Sequence, residues 1–130
     1  MGDAVEEFLR WVTPVHRHIR TARRDCDVGG ERIGAGDAVV LLYASGNRDE
    51  EVWDDPERFD PLRPRHANPH LALGHGEHFC LGASLARLET RVVFEELLAR
   101  FPRLSLAGPV RRQRSTHING IASMPVRLGG

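Results

Sequence analysis

Residues 73–82 read Leu73-Gly74-His75-Gly76-Glu77-His78-Phe79-Cys80-Leu81-Gly82, a glycine-rich loop that leads into a helix. The glycines at Gly74, Gly76 and Gly82 allow tight turns and let the backbone approach a flat cofactor closely. A helix that begins just after Cys80 directs its positive end at the sulfur and so stabilises the thiolate, which is the form that binds metal. The surroundings of Cys80 therefore favour a ligand over the alternative, a buried structural cysteine in front of a helix.

After this loop, a long helix is predicted from about residue 83 to residue 100, and Pro102 ends it. Apolar residues occupy much of its circumference, which is typical of a largely buried helix. They are Leu81, Leu85, Leu88, Val92, Phe94, Leu97, Leu98 and Phe101. Further on, Gly108-Pro109 and Asn119-Gly120 mark turns, so the last part of the chain is predicted to form a short β-hairpin tail.

The first part of the chain is predicted to be an amphipathic helix. One face carries apolar residues at helical spacing, namely Val5, Phe8, Leu9 and Val12. Asp3 is predicted to cap its start, and Pro14 to stop it.

A small sheet and an irregular segment are predicted to follow. The sheet comprises a strand near 18–24, a hairpin turn at Gly29-Gly30 with a return through 31–33, a second turn at 34–37 and a buried strand at 38–43. Residues 45–69 are rich in proline, glycine and charge, so they are predicted to form a meandering loop with short helical turns.

The composition describes a soluble globular chain of 130 residues, 41% hydrophobic and 28% charged, which is enough for one small domain. Its 18 basic and 18 acidic residues balance, so no net charge attracts nucleic acid or an anionic membrane. Arg111-Arg112-Gln113-Arg114 is a short basic run without stacking aromatics and predicts a surface turn.

With no apolar run of membrane-spanning length and no signal peptide, the chain is predicted to be cytoplasmic. Two cysteines in that setting argue against a disulfide framework, and Cys26 is predicted to be inert.

The run Phe79-Cys80-Leu81-Gly82-Ala83, preceded by Gly74, Gly76 and His78, resembles the cysteine-pocket signature of the cytochrome P-450 family, and its bacterial soluble members are the most similar. Leu73 stands where that family usually has Phe, a departure that bears on the iron potential and not on haem binding. The resemblance implies an α+β chain, the C-terminal portion of the mainly α cytochrome P-450 fold. It would contain a helix, a small β-sheet, a meander, the cysteine loop, a long buried helix and a β-hairpin tail. Residues 1–130 would form one partial domain, the C-terminal segment only.

The resemblance also implies the cofactor, haem b (iron protoporphyrin IX), and its contacts. Cys80 would be the axial ligand of the haem iron, with no other catalytic residue in this segment. The further cofactor-binding positions would be Arg20, Leu73, Gly74, Gly76, His78, Phe79 and Gly82. Arg20 and His78 match positions that bind the haem propionates, for which arginine supplies paired charged donors. On the bare sequence, Arg20 is instead a plain exposed strand residue.

A second match lies in the first helix. Glu7 and Arg10 match the family's Glu-x-x-Arg pair, and Arg58 matches a further arginine in the meander. By spacing alone, Glu7 and Arg10 are a solvated i,i+3 pair opposite the apolar stripe, worth about 0.2–0.5 kcal/mol. The resemblance implies instead a buried network of Glu7, Arg10 and Arg58 that locks the meander under the haem.

As a function, the resemblance implies a monooxygenase that inserts one oxygen atom of O2 into a small hydrophobic substrate, using electrons from a ferredoxin or flavoprotein. Residues 45–49 and 118–121 resemble members that hydroxylate sterols and branched lipids. The edges of the substrate pocket would lie near residues 15–18 and 117–121.

Two other hypotheses stay open. The family's oxygen-activating helix has no counterpart here, so the chain is alternatively a non-catalytic truncated remnant or one half of a split enzyme. The missing N-terminal half would then be a partner, and the isolated chain would aggregate through exposed apolar faces. A zinc site at His70, His75, His78 and Cys80 is the third hypothesis, which the lack of paired ligand spacing disfavours.

Overall fold

The computed structural model describes residues 1–64 and 69–129, so residues 65–68 of the predicted meander lie outside the described residues. Three α-helices occur in this part of the chain: α1 (Gly2–Val12), α2 (Tyr43–Gly46) and α3 (Ala83–Arg100), with a 3-10 turn at Gly76–His78. Eight strands accompany them: β1 (Arg17–Thr21), β2 (Cys26–Val28), β3 (Glu31–Ile33), β4 (Ala38–Leu42), β5 (Arg103–Leu106), β6 (Arg111–Arg112), β7 (Ile121–Ser123) and β8 (Val126–Gly129).

Helix α1 forms because its apolar positions share one face, and Val5 and Leu9 on that face are buried. The prediction that Asp3 caps the helix is wrong, because Met1 is the N-cap and Asp3 lies in the first turn of the helix. The helix ends at Thr13, whose φ of 43° is left-handed and whose backbone N–H bonds the carbonyl of Leu9 at 2.9 Å. Pro14 follows and prevents a further turn, as predicted.

Strands β1 and β4 pair antiparallel, with Ile19 opposite Val40. Between them, β2 and β3 form a hairpin at the predicted turn, whose residues Gly29 and Gly30 both have positive φ. The strand predicted near 18–24 is β1, which ends at Thr21 and pairs with β4, so the strand before the turn is β2. The prediction that β4 is buried is wrong, because Val40 and Leu42 are exposed. This sheet has two strands. Within the described part of the chain, β4 contacts mainly β1, and β1 also contacts α2.

Helix α3 has the predicted bounds, but the prediction that it is largely buried is wrong. Ala83 is its one buried residue in the described structure, whereas Leu85 and Val93 are 57% and 58% exposed. Its main described neighbour is α1, and the two meet where the rings of Phe8 and Phe94 stack with centroids 4.6 Å apart. No helix in the described part of the chain is long and apolar enough to cross a membrane.

The tail contains two nested antiparallel pairs, β5 with β8 and β6 with β7, where the sequence predicts one hairpin. Its tip returns to the end of α1. The backbone N–H of Asn119 bonds the carbonyl of Pro14 at 2.9 Å, and that of His16 bonds the carbonyl of His117 at 2.8 Å. The tail therefore comes next to residues 14–18, at the edge of the candidate site.

Candidate functional site

The loop around Cys80 is held by its own backbone. Cys80 donates its N–H to the carbonyl of Leu73 at 2.8 Å, and its carbonyl accepts the N–H of Ala83, the first residue of α3, at 3.1 Å. The Cys80 side chain is exposed and unpaired with Cys26. Cys80 therefore sits two residues before the N-cap of α3, with both of its backbone polar groups satisfied.

At two of the three loop glycines, the backbone conformation requires glycine. Gly74 and Gly76 have φ of 78° and 69°, in the left-handed region that side chains rarely adopt. A Cβ on Gly74 would also lie 3.3 Å from the carbonyl oxygen of His78. Gly82 differs from the prediction of a tight turn. It is the N-cap of α3 with an ordinary φ of −83°, and a Cβ there would lie 3.9 Å from the Cys80 sulfur, a normal contact.

Cys80 lies in the wall of a cavity of about 640 Å³ between α1, the cysteine loop and the start of α3. Of the predicted cofactor-binding residues, the structure brings together Arg20, Leu73, Gly74, His78 and Cys80 there. Gly76, Phe79 and Gly82 do not line this cavity. The remaining wall is formed by Leu9, Pro14, Val15, His18, Tyr43, Ala72 and Ala86, most of them apolar.

An arginine and a histidine line one part of the site. Arg20 and His78 line both this cavity and a neighbouring one of about 400 Å³, which Tyr43 also lines. Arg20 is half-buried, and its Nη1 donates to the carbonyl of Ile19 at 3.1 Å. Arg20 and His78, from two distant segments, thus line the same cavity as Cys80.

His18 marks another edge. Its ring meets that of His117 edge-on at 5.2 Å and that of Tyr43 at 5.4 Å. Desolvation, and then the neighbouring His117 and Arg20, hold the pKa of His18 below its ordinary value. The two segments that the sequence analysis assigned to the pocket edges therefore meet at the His18–His117 contact.

The most buried ion pair in the described chain joins Glu7 and Arg10. Both side chains are 0% exposed, and Arg10 donates from Nε and Nη2 to the two carboxylate oxygens at 2.8 Å. Arg10 also donates to the carbonyls of Asn47, Pro56 and Arg58 at 2.8–3.0 Å. The backbone N–H of Asp60 donates to Glu7 at 2.9 Å. One helical pair thus holds the irregular segment in place, and the solvated arrangement that spacing alone favours does not occur.

The second arginine of this network is Arg63 and not Arg58, contrary to the prediction. Arg63 Nε lies 3.3 Å from Glu7 Oε2, an ion pair whose geometry falls short of a hydrogen bond. Arg58 contributes its backbone carbonyl to Arg10. The chain path explains the difference, because residues 56–60 pass Arg10 with their backbone and the chain turns at Asp60 before Arg63 reaches the pair.

A second buried carboxylate was missed by the sequence analysis. Glu6 is 4% exposed and accepts two hydrogen bonds from Arg87, Nε to Oε1 at 2.8 Å and Nη2 to Oε2 at 2.9 Å. His70 Nε2 lies 3.0 Å from Glu6 Oε2. In the sequence, Glu6 is one of two adjacent acidic residues, and no local pattern distinguishes it from a solvated one.

This contact also bears on the zinc hypothesis, in which His70 was a ligand. His70 is engaged with Glu6, and no group of three or more potential metal ligands lies together among residues 1–64 and 69–129.

Both buried carboxylates have a lowered pKa. For Glu6, desolvation raises the pKa, but the hydrogen bonds and charge of Arg87 and the contact with His70 outweigh it. For Glu7, desolvation is likewise outweighed by Arg10, the N–H of Asp60 and the charge of Arg63. Desolvation and the charge of Arg87 lower the pKa of His70 despite Glu6, so His70 is neutral at neutral pH.

These directions predict a loss of stability in acid. A carboxyl with a lowered folded-state pKa stabilises the fold above its unfolded value, here 4.5, and this contribution is lost as the pH falls through the folded-state pKa. His70, also lowered, adds to the loss below its ordinary value of 6.5. The urea concentration at the unfolding midpoint should therefore decrease as the pH is lowered below 6.5, and should decrease further below pH 4.5. A midpoint that rises on acidification would contradict the buried pairs.

Comparisons with known proteins show what this chain is similar to. A family model described as Cytochrome P450 matches residues 1–127. Putative cytochrome P450 126 of Mycobacterium tuberculosis is 46% identical over 130 residues, 100% of this chain and 31% of the relative. Steroid C26-monooxygenase of Rhodococcus jostii is 45% identical over 122 residues, 93% of this chain and 26% of the relative.

A solved structure gives the same picture. The Mycobacterium marinum cytochrome P450 CYP268A2, in complex with pseudoionone, matches with a TM-score of 0.90 and 46% identity, over 96% of this chain and 30% of that one. The chain thus spans about a third of the length of the proteins it matches. These matches confirm the predicted fold class.

Proposed function

Because this chain belongs to the cytochrome P450 family, we propose that it is the haem-binding, C-terminal part of a haem-thiolate monooxygenase. In this proposal the sulfur of Cys80 would hold the haem iron. The observation that carries it is the cavity beside α1, in whose wall the exposed Cys80 lies together with Arg20 and His78.

The donor set of the cavity fits haem b. Its volume of about 640 Å³ lies within the range of about 300–1,000 Å³ typical of cofactor sites. The apolar walls suit a flat macrocycle, the N–H donors of Arg20 and His78 suit its propionates, and the sulfur suits its iron. At Gly74 the backbone forms the cavity wall directly, and a side chain there would press on the His78 carbonyl. Each part of the cofactor thus has a matching group in the wall.

In the holoprotein, haem supplies oxygen activation, which a thiolate ligand favours by donating electron density to the iron. The chain's own residues prepare this. Cys80 would bind the iron as the thiolate, and it lies two residues before the N-cap of α3. The Cys80 N–H donates to the carbonyl of Leu73, so this donor stabilises the loop and does not bond the sulfur. Arg20 and His78 would hold the cofactor through its carboxylates.

Leu73 has a packing role besides lining the cavity. It packs against the cluster of Val5, Leu9 and Ala72, so the loop before Cys80 is anchored to the buried face of α1. We propose that leucine in place of the family's usual phenylalanine alters the iron potential, because it offers the sulfur an aliphatic and not an aromatic neighbour.

For the whole protein, we propose a small hydrophobic substrate, a sterol or a related lipid, oxidised with electrons from a ferredoxin or flavoprotein in the cytoplasm. Support comes from relatives named for such compounds, the steroid C26-monooxygenase of Rhodococcus jostii and the linalool 8-monooxygenase of Pseudomonas putida. Val15 and His18, at the predicted edge of the substrate pocket, line the cavity that holds Cys80.

The test is the absorbance spectrum of the whole protein that carries this chain, supplied with haem, reduced and exposed to carbon monoxide. We expect the strongly red-shifted Soret band of a thiolate-ligated iron. Haem uptake without that band would contradict the assignment of Cys80. The same spectrum of residues 1–130 alone separates a self-sufficient haem segment from a remnant or a half that needs its partner, since only the former would show the band.

A further inference from the structure

The loop that carries Cys80 has two ends, and one carboxylate joins them. His70 lies where the chain enters the loop, and Arg87 lies in the second turn of α3, where the chain leaves it. Both contact Glu6 of α1, His70 at 3.0 Å and Arg87 at 2.8 and 2.9 Å. Glu6 and its neighbour Glu7 thus serve different parts of the chain, Glu7 the irregular segment and Glu6 the cysteine loop.

The contacts of Glu6 are specific in geometry. Arg87 approaches the carboxylate with two parallel N–H groups, the planar arrangement that lysine cannot reproduce. The side chains of Glu6 and His70 are 5% and 3% exposed. The Nδ1 of His70 lies 3.3 Å from the backbone N–H of Ala72, which requires Nδ1 to accept. His70 is therefore the neutral tautomer that donates from Nε2 to Glu6.

Both contacts lead to the sulfur through short connections. From His70 the chain reaches Leu73 in three residues, and the Leu73 carbonyl accepts the N–H of Cys80 at 2.8 Å. From Arg87 one helical turn leads back to Ala83, whose N–H bonds the Cys80 carbonyl at 3.1 Å. The backbone of Cys80 is therefore held between two arms that meet at Glu6.

We propose that Glu6 is a positioning residue for Cys80, which holds the two ends of the loop together through His70 and Arg87 so that the sulfur keeps its place at the haem iron. The proposal rests on the haem-thiolate function. Without the carboxylate, the buried His70 and the part-buried Arg87 lose their partner and the ends of the loop are free to separate. The sulfur then leaves the iron more readily, even while the rest of the chain stays folded.

The experiment compares Glu6→Gln with the unaltered whole protein, haem-loaded, reduced and bound to carbon monoxide, well below the thermal unfolding midpoint. The measured quantity is the fraction of haem that lacks the thiolate Soret band. We expect this fraction to rise about tenfold, less than for a fully buried pair because Arg87 is 27% exposed. A purely structural role would lower the unfolding midpoint and leave the spectrum below it unchanged.

Glu96→Gln is the matched control, since Glu96 also pairs with an arginine on α3, at 2.7 Å from Arg100, but at the surface. It should leave the fraction unchanged. Arg87→Lys keeps the charge and loses the paired donors, so it should raise the fraction by less than Glu6→Gln does, and it decides the question if Glu6→Gln does not fold.

The outcomes separate the two proposals. A thiolate band in the unaltered protein together with unchanged fractions in folded Glu6→Gln and Arg87→Lys would overturn the role of Glu6 and leave the haem-thiolate function standing. Absence of the band in the unaltered protein would overturn both.

Discussion

Replacing Cys80 with alanine is expected to remove the thiolate-type haem spectrum completely. Alanine supplies no sulfur, and Cys26, the other cysteine of this chain, lies at the start of β2 and does not line the cavity. The backbone of residue 80 keeps its bonds to Leu73 and Ala83, and an alanine side chain fits where a cysteine fitted. The fold should therefore persist while the reduced, carbon monoxide-bound Soret band loses its red shift.

Cys26→Ala is the control for this experiment. Cys26 is likewise exposed and forms no disulfide. It lies opposite Ile33 in the β2–β3 hairpin and does not line the cavity. Its replacement should leave the spectrum as it was. An unchanged spectrum in Cys80→Ala, or loss of the red shift in Cys26→Ala, would show that the iron ligand is not Cys80.

Replacing Arg10 with alanine is expected to lower the free energy of unfolding by about 3–5 kcal/mol, the cost of breaking a fully buried ion pair. The change leaves the Glu7 carboxylate buried at 0% exposure beside Arg63, with its strongest partner lost. It also strips the carbonyls of Asn47, Pro56 and Arg58 of a donor. Urea unfolding of the whole protein, followed by circular dichroism, measures the effect.

Arg100→Ala provides the comparison, because Arg100 also pairs with a glutamate on its own helix, Glu96, at 2.7 Å. Both of these side chains are well exposed, so their pair is expected to contribute about 0–1 kcal/mol. Equal effects of the two replacements would mean that burial of the Glu7–Arg10 pair does not matter for stability.

The elements of secondary structure were largely predictable, because their signals are local. The bounds of α3, the Gly29-Gly30 hairpin and the end of α1 before Pro14 each follow from residues a few positions apart. Where prediction failed locally, at the Asp3 cap, the error was two residues, because a helix can start wherever its first N–H groups can be solvated.

Burial was predicted less well. Helix α3 is apolar around much of its circumference and β4 is a continuous apolar run, yet both expose many of these side chains in the described structure. An apolar pattern states which surfaces gain free energy from burial, about 25 cal/mol per Å². It does not state which other element covers them.

The candidate site divides in the same way. The sequence alone determined the order of the elements, the positive-φ glycines before Cys80 and the family, because each depends on residue types at fixed spacings along the chain. The tertiary structure alone decided that Glu7 pairs with Arg63 and not Arg58, and that Glu6 joins His70 to Arg87. These partners are 56, 64 and 81 residues apart, and such contacts depend on where the chain path brings each backbone and on which charges lose their water there.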